Sequence, residues 1–168
     1  MIASNWQVSP IMKIKSGTFF SVTGGIDYAL NGAPQGKDQR PNQILASPYA
    51  ENKTIDHWLN PAAFAPPAPG TTGNLGANNI LGPGMFQLDM AVTRTFQVGE
   101  GKSLQLRAEA FNLPNHMNPN NPGVCTDTCV NALNSAGTFG KIQSDISGTS
   151  GLSAGDPRIL QFALKFVF

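Results

Sequence analysis

Hydrophobic and polar residues alternate at every second position in four separate segments of the chain. This period is typical of β-strands that have one apolar face and one polar face. The four predicted strands span about residues 6–22, 85–98, 103–114 and 158–168. The alternation is clearest from Phe86 to Val98, where Arg94 is the exception on the apolar side. The pattern predicts an all-β chain with four long strands.

Two architectures produce this alternation, namely a soluble antiparallel sandwich and a transmembrane β-barrel. The connections between the strands distinguish them. Residues 99–102 form a short hairpin turn, whereas about residues 23–84 and 115–157 form two very long loops. Compact soluble domains seldom contain loops above roughly 15 residues, but outer-membrane barrels combine short periplasmic turns with long external loops. The connections therefore favour four long antiparallel strands of a transmembrane outer-membrane β-barrel.

The composition agrees with long loops and excludes several other classes of protein. The chain contains 18 Gly and 13 Pro residues, and both residue types favour turns. Charged residues make up only 12% of the chain, against roughly 25% in typical soluble domains. The net charge of +1 gives no basic excess of the kind that nucleic-acid binding requires. No apolar run is long enough for a transmembrane helix.

A series of short motifs makes the barrel prediction more specific. In chain order they are Arg40-Pro41-Asn42-Gln43, Trp58-Leu59-Asn60-Pro61-Ala62-Ala63-Phe64, Gly73-Asn74-Leu75-Gly76, Gly82-Pro83-Gly84, the segment from Arg107 to His116, Phe139-Gly140 and Pro157-Arg158. Each motif is weak alone, but their order and spacing resemble the C-terminal end of Oar-like TonB-dependent transporter barrels. Those transporters carry a carboxypeptidase-regulatory-like domain at their N-terminus. The resemblance covers about residues 6–168.

The resemblance implies a barrel of about 22 strands closed around a plug. Because this sequence has four strands and no recognisable plug, TonB box or regulatory-like domain, we expect it to be a C-terminal fragment of such a barrel. The implied function is energy-dependent uptake of an unidentified substrate across the bacterial outer membrane. The implied partners are outer-membrane lipid, the rest of the barrel and its plug, the TonB complex and the barrel assembly machinery. No nucleic acid, cofactor or catalytic residue is expected.

The last strand carries a candidate assembly signal. Its alternate apolar residues are Leu160, Phe162, Leu164, Phe166 and Phe168. They resemble the terminal signal by which outer-membrane barrels reach their assembly machinery, where an extended strand adds to an exposed sheet edge. On the preceding strand, Arg107 and Glu109 lie two residues apart on the polar side. We expect this pair to face the lumen of the barrel.

Two features with more than one interpretation remain, namely the cysteine pair and Arg94. Cys125 and Cys129, in the second long loop, either form a disulfide in an oxidising compartment or remain free thiols. A metal site with His116 and Asp127 is a third possibility, although no second Cys or His pair provides a familiar zinc spacing. Arg94 would cost roughly 2–4 kcal/mol at the bilayer centre but little near an interface, and its closeness to the hairpin turn favours the interface.

Two alternative functions come from different classes of protein. The first is a secreted soluble β-sandwich that binds glycans through the loop aromatics Tyr49, Trp58 and Phe64. The second, more distant, is a small hydrolase that uses His57 or His116. No G-x-S-x-G nucleophile motif accompanies either histidine. We therefore expect that the chain is not an enzyme.

Overall fold

Two compact units make up the part of the chain that the structure describes. The computed structural model describes residues 4–32, 39–123, 132–146 and 157–168. The strand unit comprises the described residues of Met1–Lys15, Met85–Asn118 and Asp156–Phe168, and the loop unit those of Ser16–Gly84 and Pro119–Gly155. Cys125, Asp127 and Cys129 lie outside the described residues. The disulfide, thiol and metal interpretations there stay predictions.

Four long strands form the main sheet. The strands of the described residues are β1 (Trp6–Lys15), β2 (Phe19–Phe20), β3 (Asn42–Gln43), β4 (Phe64–Ala65), β5 (Ile80–Leu81), β6 (Met85–Gly99), β7 (Lys102–Phe111) and β8 (Ile159–Val167). The main sheet has the order β1-β6-β7-β8, and every neighbouring pair is antiparallel. The predicted fold class is confirmed. Within the described ranges, no helix has the length and apolarity needed to cross a membrane.

The register of the main sheet aligns the alternate residues of all four strands in common rows. Trp6 on β1 lies opposite Arg94 on β6, whose other neighbour is Leu106 on β7. Leu106 in turn lies opposite Leu164 on β8. Since side chains alternate between the two faces of a strand with a period of 2, this alignment places the apolar positions of every strand on the same face.

The first predicted strand is too long, because β1 ends at Lys15. The alternation continues through Phe20 and Val22, but these residues are only 7% and 1% exposed and belong to the core of the loop unit. There β2 pairs with β5 rather than with the main sheet. A Cβ atom on Gly17 would lie 1.9 Å from the carbonyl oxygen of Gly82. This close backbone contact lies between β1 and β2, where the single predicted strand is interrupted.

The two long connections fold together rather than forming separate irregular loops. They contain two small sheets, β2 with β5 and β3 with β4, and a 3-10 helix at Pro61–Ala63. Their core consists of Phe20, Val22, Leu59, Ala63, Phe64, Leu75, Ile80 and Phe139. Fully burying a side chain such as Val, Leu, Ile or Phe stabilises a fold by about 1.5–3 kcal/mol. The core therefore gives the loop unit a source of stability of its own.

Gly140 joins the second connection to the first. Its carbonyl oxygen accepts hydrogen bonds from the N–H groups of Trp58 and Leu59, at 3.0 and 3.4 Å. The neighbouring Phe139 packs edge-on against Phe64, with 5.4 Å between ring centroids. Gly140 has a φ of +70°, and a Cβ atom there would lie 2.8 Å from Leu59 Cβ. The backbone conformation and the close approach both require glycine at this position.

Asparagine side chains join two of the sequence motifs in the first connection. The Asn74 N–H donates to Asn42 Oδ1 at 3.0 Å, and the Gln43 N–H donates to Asn74 Oδ1 at 2.8 Å. Beside them, a Cβ atom on Gly73 would lie 2.2 Å from the carbonyl oxygen of Arg40. The motif that begins at Arg40 and the motif that begins at Gly73 are thus two halves of one contact.

Replacing Gly140 by alanine is expected to destabilise the loop unit by about 2 kcal/mol, because the substitution forces a left-handed conformation on a residue with a Cβ atom. Protease cleavage of the loop unit in the membrane-inserted protein should accelerate about thirtyfold if cleavage follows the open population. Gly137→Ala is the matched control, since nothing lies within 4 Å of its Cβ position. Equal cleavage rates for the two variants would contradict the assigned role of Gly140.

Candidate functional site

One face of the main sheet is apolar over the whole length of the strands, and we call it the apolar face. Its residues are Trp6, Val8, Pro10, Met12 and Ile14 on β1, Phe86, Leu88, Met90, Val92, Arg94 and Phe96 on β6, Leu104, Leu106, Ala108 and Ala110 on β7, and Leu160, Phe162, Leu164 and Phe166 on β8. Many are strongly exposed, as with Ile14 at 67% and Phe162 at 80%. An exposed apolar surface of this extent marks contact with a membrane or with another protein.

The opposite, polar face carries the two residues predicted to face a lumen. Arg107 Nε and Nη2 both donate to Glu109 Oε1, the Nε bond being 3.0 Å long. Arg107 lies between Thr93 and Ala163 in the register, and Glu109 is flanked by small or polar neighbours in the same way. Half of the Arg107 side chain remains exposed, so the pair adds at most about 1 kcal/mol to stability. The structure brings the pair together on the polar face, and its lumen position stays a prediction.

Aromatic side chains collect at the end of the apolar face near the hairpin turn. Phe96 and Phe166 lie in one row with Leu104 between them, and Trp6 lies in the adjacent row. Trp6 and Phe96 both contact Arg94, whose guanidinium carbon is 5.0 Å from the Trp6 ring centroid and 4.4 Å from the Phe96 centroid. Outer-membrane barrels carry girdles of aromatic residues at both membrane interfaces. This end of the sheet has the composition of such a girdle.

At the other end of the sheet, side chains of β6 and of the segment after β7 bond to backbone N–H groups. Asp89 Oδ1 accepts a hydrogen bond from the Asn112 N–H at 2.9 Å, and both Asp89 oxygens accept from Gln87 Nε2. Asn118 Oδ1 accepts from the Phe86 N–H at 2.8 Å. These bonds satisfy backbone N–H groups where regular strand pairing ends, which is necessary because unpaired buried donors are costly. No local sequence pattern predicts this network, since it depends on contacts between β6 and the segment after β7.

The candidate assembly residues lie on β8, at an edge of the main sheet. Leu160, Phe162, Leu164 and Phe166 all belong to the apolar face. Phe168 follows the last residue of β8, is 91% exposed, and stacks on Phe166 with 6.0 Å between centroids. The predicted stripe is therefore continuous on one side of the strand. Its role in assembly stays a prediction.

The three loop aromatics of the glycan-binding alternative are packed into the loop unit. Phe64 is buried in its core, and Trp58 packs against that core. The Tyr49 hydroxyl donates to the Leu81 carbonyl at 3.1 Å and accepts from the Leu81 N–H at 3.0 Å. Lys53 Nζ lies 4.2 Å from the Tyr49 ring centroid. These contacts hold the rings in the fold and do not form an open stacking platform for sugars.

The two histidines of the hydrolase alternative lie in different units. His57 belongs to a turn in which its N–H donates to Thr54 Oγ1 and its carbonyl accepts from the Thr54 N–H, both at 3.1 Å. The His116 N–H donates to Asn112 Oδ1 at 3.0 Å, and its ring lies edge-on to Phe86. In the described ranges, no three His, Cys, Asp or Glu side chains form a group that could hold a metal ion.

The sequence of the chain matches a known family over nearly its whole length. Residues 1–161 match the family described as the outer membrane beta barrel domain. The chain belongs to this family. No curated protein and no solved structure matches the chain significantly.

Membership in the outer-membrane β-barrel family explains the exposed apolar face. In such a barrel, one side of each strand contacts lipid and the other faces the interior. The protein accordingly resides in the bacterial outer membrane, and its apolar face has the composition of a surface that contacts lipid. The soluble sandwich left open by the alternation of residues does not fit this family.

A charge on the apolar face of this barrel protein is expected to cost far more than a charge on the polar face. Leu160→Arg should lower the free energy of unfolding by about 2–4 kcal/mol, because the side chain must enter hydrocarbon. Gln161→Arg is the matched control, since Gln161 lies on the polar face opposite Glu109. Urea unfolding of the natural protein in lipid vesicles measures both values. Similar losses for the two variants would show that the faces are assigned wrongly.

Proposed function

We propose that this outer-membrane barrel protein takes part in TonB-dependent, energy-coupled uptake of a substrate that is not yet identified. The ordered motifs that resemble Oar-like transporters support the proposal. In it, the four long strands form part of a larger barrel, further strands pair with the outer edges of β1 and β8, and a plug occupies the lumen. Cyclic closure is needed because open sheet edges are not tolerated in hydrocarbon.

The observation that carries the proposal is that both long connections fold into one unit with its own core. The core includes Leu59 and Phe64 from the first connection and Phe139 from the second. Binding sites are most precise when a packed structure holds the side chains that contact the ligand. A folded loop unit can present such a site to a solute before the solute enters the barrel.

In the proposed orientation, the loop unit lies outside the cell and the turn at Glu100 and Gly101 lies in the periplasm. The long and short connections alternate as they do in outer-membrane barrels, whose periplasmic turns are short. The polar face then lines the lumen. Arg107 and Glu109 stand there as a partly exposed ion pair, available for contact with water, with the plug or with a passing solute.

We propose no catalytic role for this protein. The backbone groups of His57 form a turn, and the ring of His116 packs against Phe86. Turn formation and packing account for the positions of both histidines. Binding and transport, as proposed, require no reacting group.

Uptake can be tested without knowing the substrate in advance. Cells with and without the gene are grown in the same complex medium, and the compounds removed from that medium are compared by mass spectrometry. We expect at least one compound to be removed only by cells that have both the gene and an intact proton gradient, because TonB coupling uses that gradient. Identical depletion by the two strains, or depletion that persists after the gradient is collapsed by an uncoupler, would contradict energy-coupled uptake.

The terminal apolar stripe of β8 is proposed to be recognised by the barrel assembly machinery. Recognition by strand addition uses backbone hydrogen bonds, and alternate side chains fill pockets on the partner. β8 is suited to this because it lies at an edge of the described sheet. Soluble proteins usually protect such edges with charge or proline, whereas β8 carries one charged residue, Lys165, on its polar face.

Deleting Phe168, or changing both Phe166 and Phe168 to aspartate, should sharply reduce the amount of protein inserted in the outer membrane while synthesis continues. The expected product is degraded in the periplasm, because an unassembled barrel exposes apolar surface. Val167→Asp is the control, since Val167 lies on the opposite face. Insertion is measured as the heat-modifiable, membrane-bound fraction. An unchanged fraction after deletion of Phe168 would remove the support for an assembly signal.

A further inference from the structure

Arg94 is the one charged residue among those that define the apolar face. Its guanidinium contacts the rings of Trp6, directly opposite on β1, and Phe96, two residues along β6. The described residues offer Arg94 no carboxylate partner, since the ion pair of this sheet is Arg107 with Glu109. Stacking on aromatic rings occupies the faces of a guanidinium group, while its N–H donors lie in the plane of the group. Arg94 is therefore held in place with donors available for an anion.

Arg94 is one of the residues that line a groove on the apolar face. The groove has a volume of about 340 Å³, at the lower end of the roughly 300–1,000 Å³ typical of ligand pockets. Besides Arg94, its lining comprises Trp6, Val92, Phe96, Leu106, Ala108 and Phe162, together with Arg107 and Ala163, which flank Ala108 and Phe162 along their strands. The register explains the depression, because the small Ala108 side chain lies between the larger Val92 and Phe162.

We propose that this groove binds one phospholipid molecule, with its phosphate on the Arg94 guanidinium and part of an acyl chain along Val92, Ala108 and Phe162. Lipid is the medium that contacts the apolar face, so an apolar chain fills the groove without a cost in exposed surface. The phosphate diester supplies the anion that Arg94 lacks, and guanidinium–phosphate hydrogen bonds are among the strong charge-assisted ones. One molecule satisfies both ends of the site.

Other occupants satisfy only part of the site. A free phosphate ion would contact Arg94 but leave the apolar groove unfilled. A hydrocarbon chain without a phosphate would fill the groove but leave the N–H donors of the Arg94 guanidinium without an anion. The aromatic residues around Arg94 place it at a membrane interface, where lipid phosphate groups are found. The proposal depends on the lipid contact of the apolar face and not on uptake.

The test uses Trp6 as a reporter in a background in which Trp58, and any tryptophan of the natural protein outside this sequence, is changed to phenylalanine. The natural protein with these changes is placed in nanodiscs of digalactosyldiacylglycerol, a bilayer lipid without a phosphate, that contain a low fraction of a phosphatidylglycerol with brominated acyl chains. Bromine quenches tryptophan fluorescence at short range. We expect the brominated phosphatidylglycerol to quench Trp6 more strongly than it would if the lipids were mixed at random around the protein. Brominated diacylglycerol, which has no phosphate, should quench Trp6 only to the level of random mixing.

Two variants separate the parts of the site, each compared with its own unquenched fluorescence. Arg94→Gln should lower the apparent affinity for the brominated phospholipid about tenfold, as expected for loss of a charge-assisted hydrogen bond. Arg94→Lys should retain part of it. Ala108→Leu keeps Arg94 but fills the groove, and should reduce quenching to the random level even if Arg94→Gln fails to insert.

Two results would overturn the proposal. One is equal quenching by the brominated phospholipid and the brominated diacylglycerol in the parent protein. The other is unchanged phospholipid quenching in Ala108→Leu. Inorganic phosphate added at high concentration is expected to leave quenching unchanged, and competition by it would show that Arg94 binds phosphate ion rather than lipid. None of these measurements involves TonB, so failure of the uptake proposal would leave them unaffected.

Discussion

Antiparallel hydrogen bonding among β1, β6, β7 and β8 holds these strands in the register on which the other features of the strand unit depend. With that register, the apolar positions of all four strands share one face and the ion pair of Arg107 with Glu109 lies on the other. A slip of one residue in a single pair would turn one strand's apolar side chains toward the interior. The hairpin turn at Glu100 and Gly101 and the Asp89–Asn112 bond at the opposite end both oppose such a slip.

The sequence motifs are individually weak because each is one part of a contact whose other part is far along the chain. The side-chain oxygens of Asn42 and Asn74 each accept a hydrogen bond from a backbone N–H group of the other motif. The Gly140 carbonyl oxygen accepts hydrogen bonds from the N–H groups of Trp58 and Leu59. Asn112 has a φ of +49°, a conformation that asparagine tolerates better than most residues. Its side chain also bonds to the backbone of His116. The order and spacing of the motifs identify them, because the fold needs both motifs of each contacting pair.

Local alternation predicted most of the strand unit but not the division between the two units. It located β6, β7 and β8 to within a few residues, since each strand has one lipid-facing side. It failed beyond Lys15, because a buried strand pair in the loop unit produces the same alternation as a membrane strand and Phe20 keeps the parity of Ile14. The shared face of Arg94 and Phe96 follows from their spacing of two. The contact of Arg94 with Trp6 required the β1–β6 register, which no local pattern contains.

The two faces of the sheet treat an arginine in opposite ways. On the polar face, Arg107 has a carboxylate two residues away and half of its side chain is exposed, so water and Glu109 together stabilise its charge. On the apolar face, Arg94 has aromatic rings where Arg107 has a carboxylate and water. A cation over an aromatic ring gains about 0.5–2 kcal/mol, which is less than the cost of placing arginine at the bilayer centre. The rings therefore do not compensate for full burial, and the position of Arg94 among interface aromatics follows from that difference.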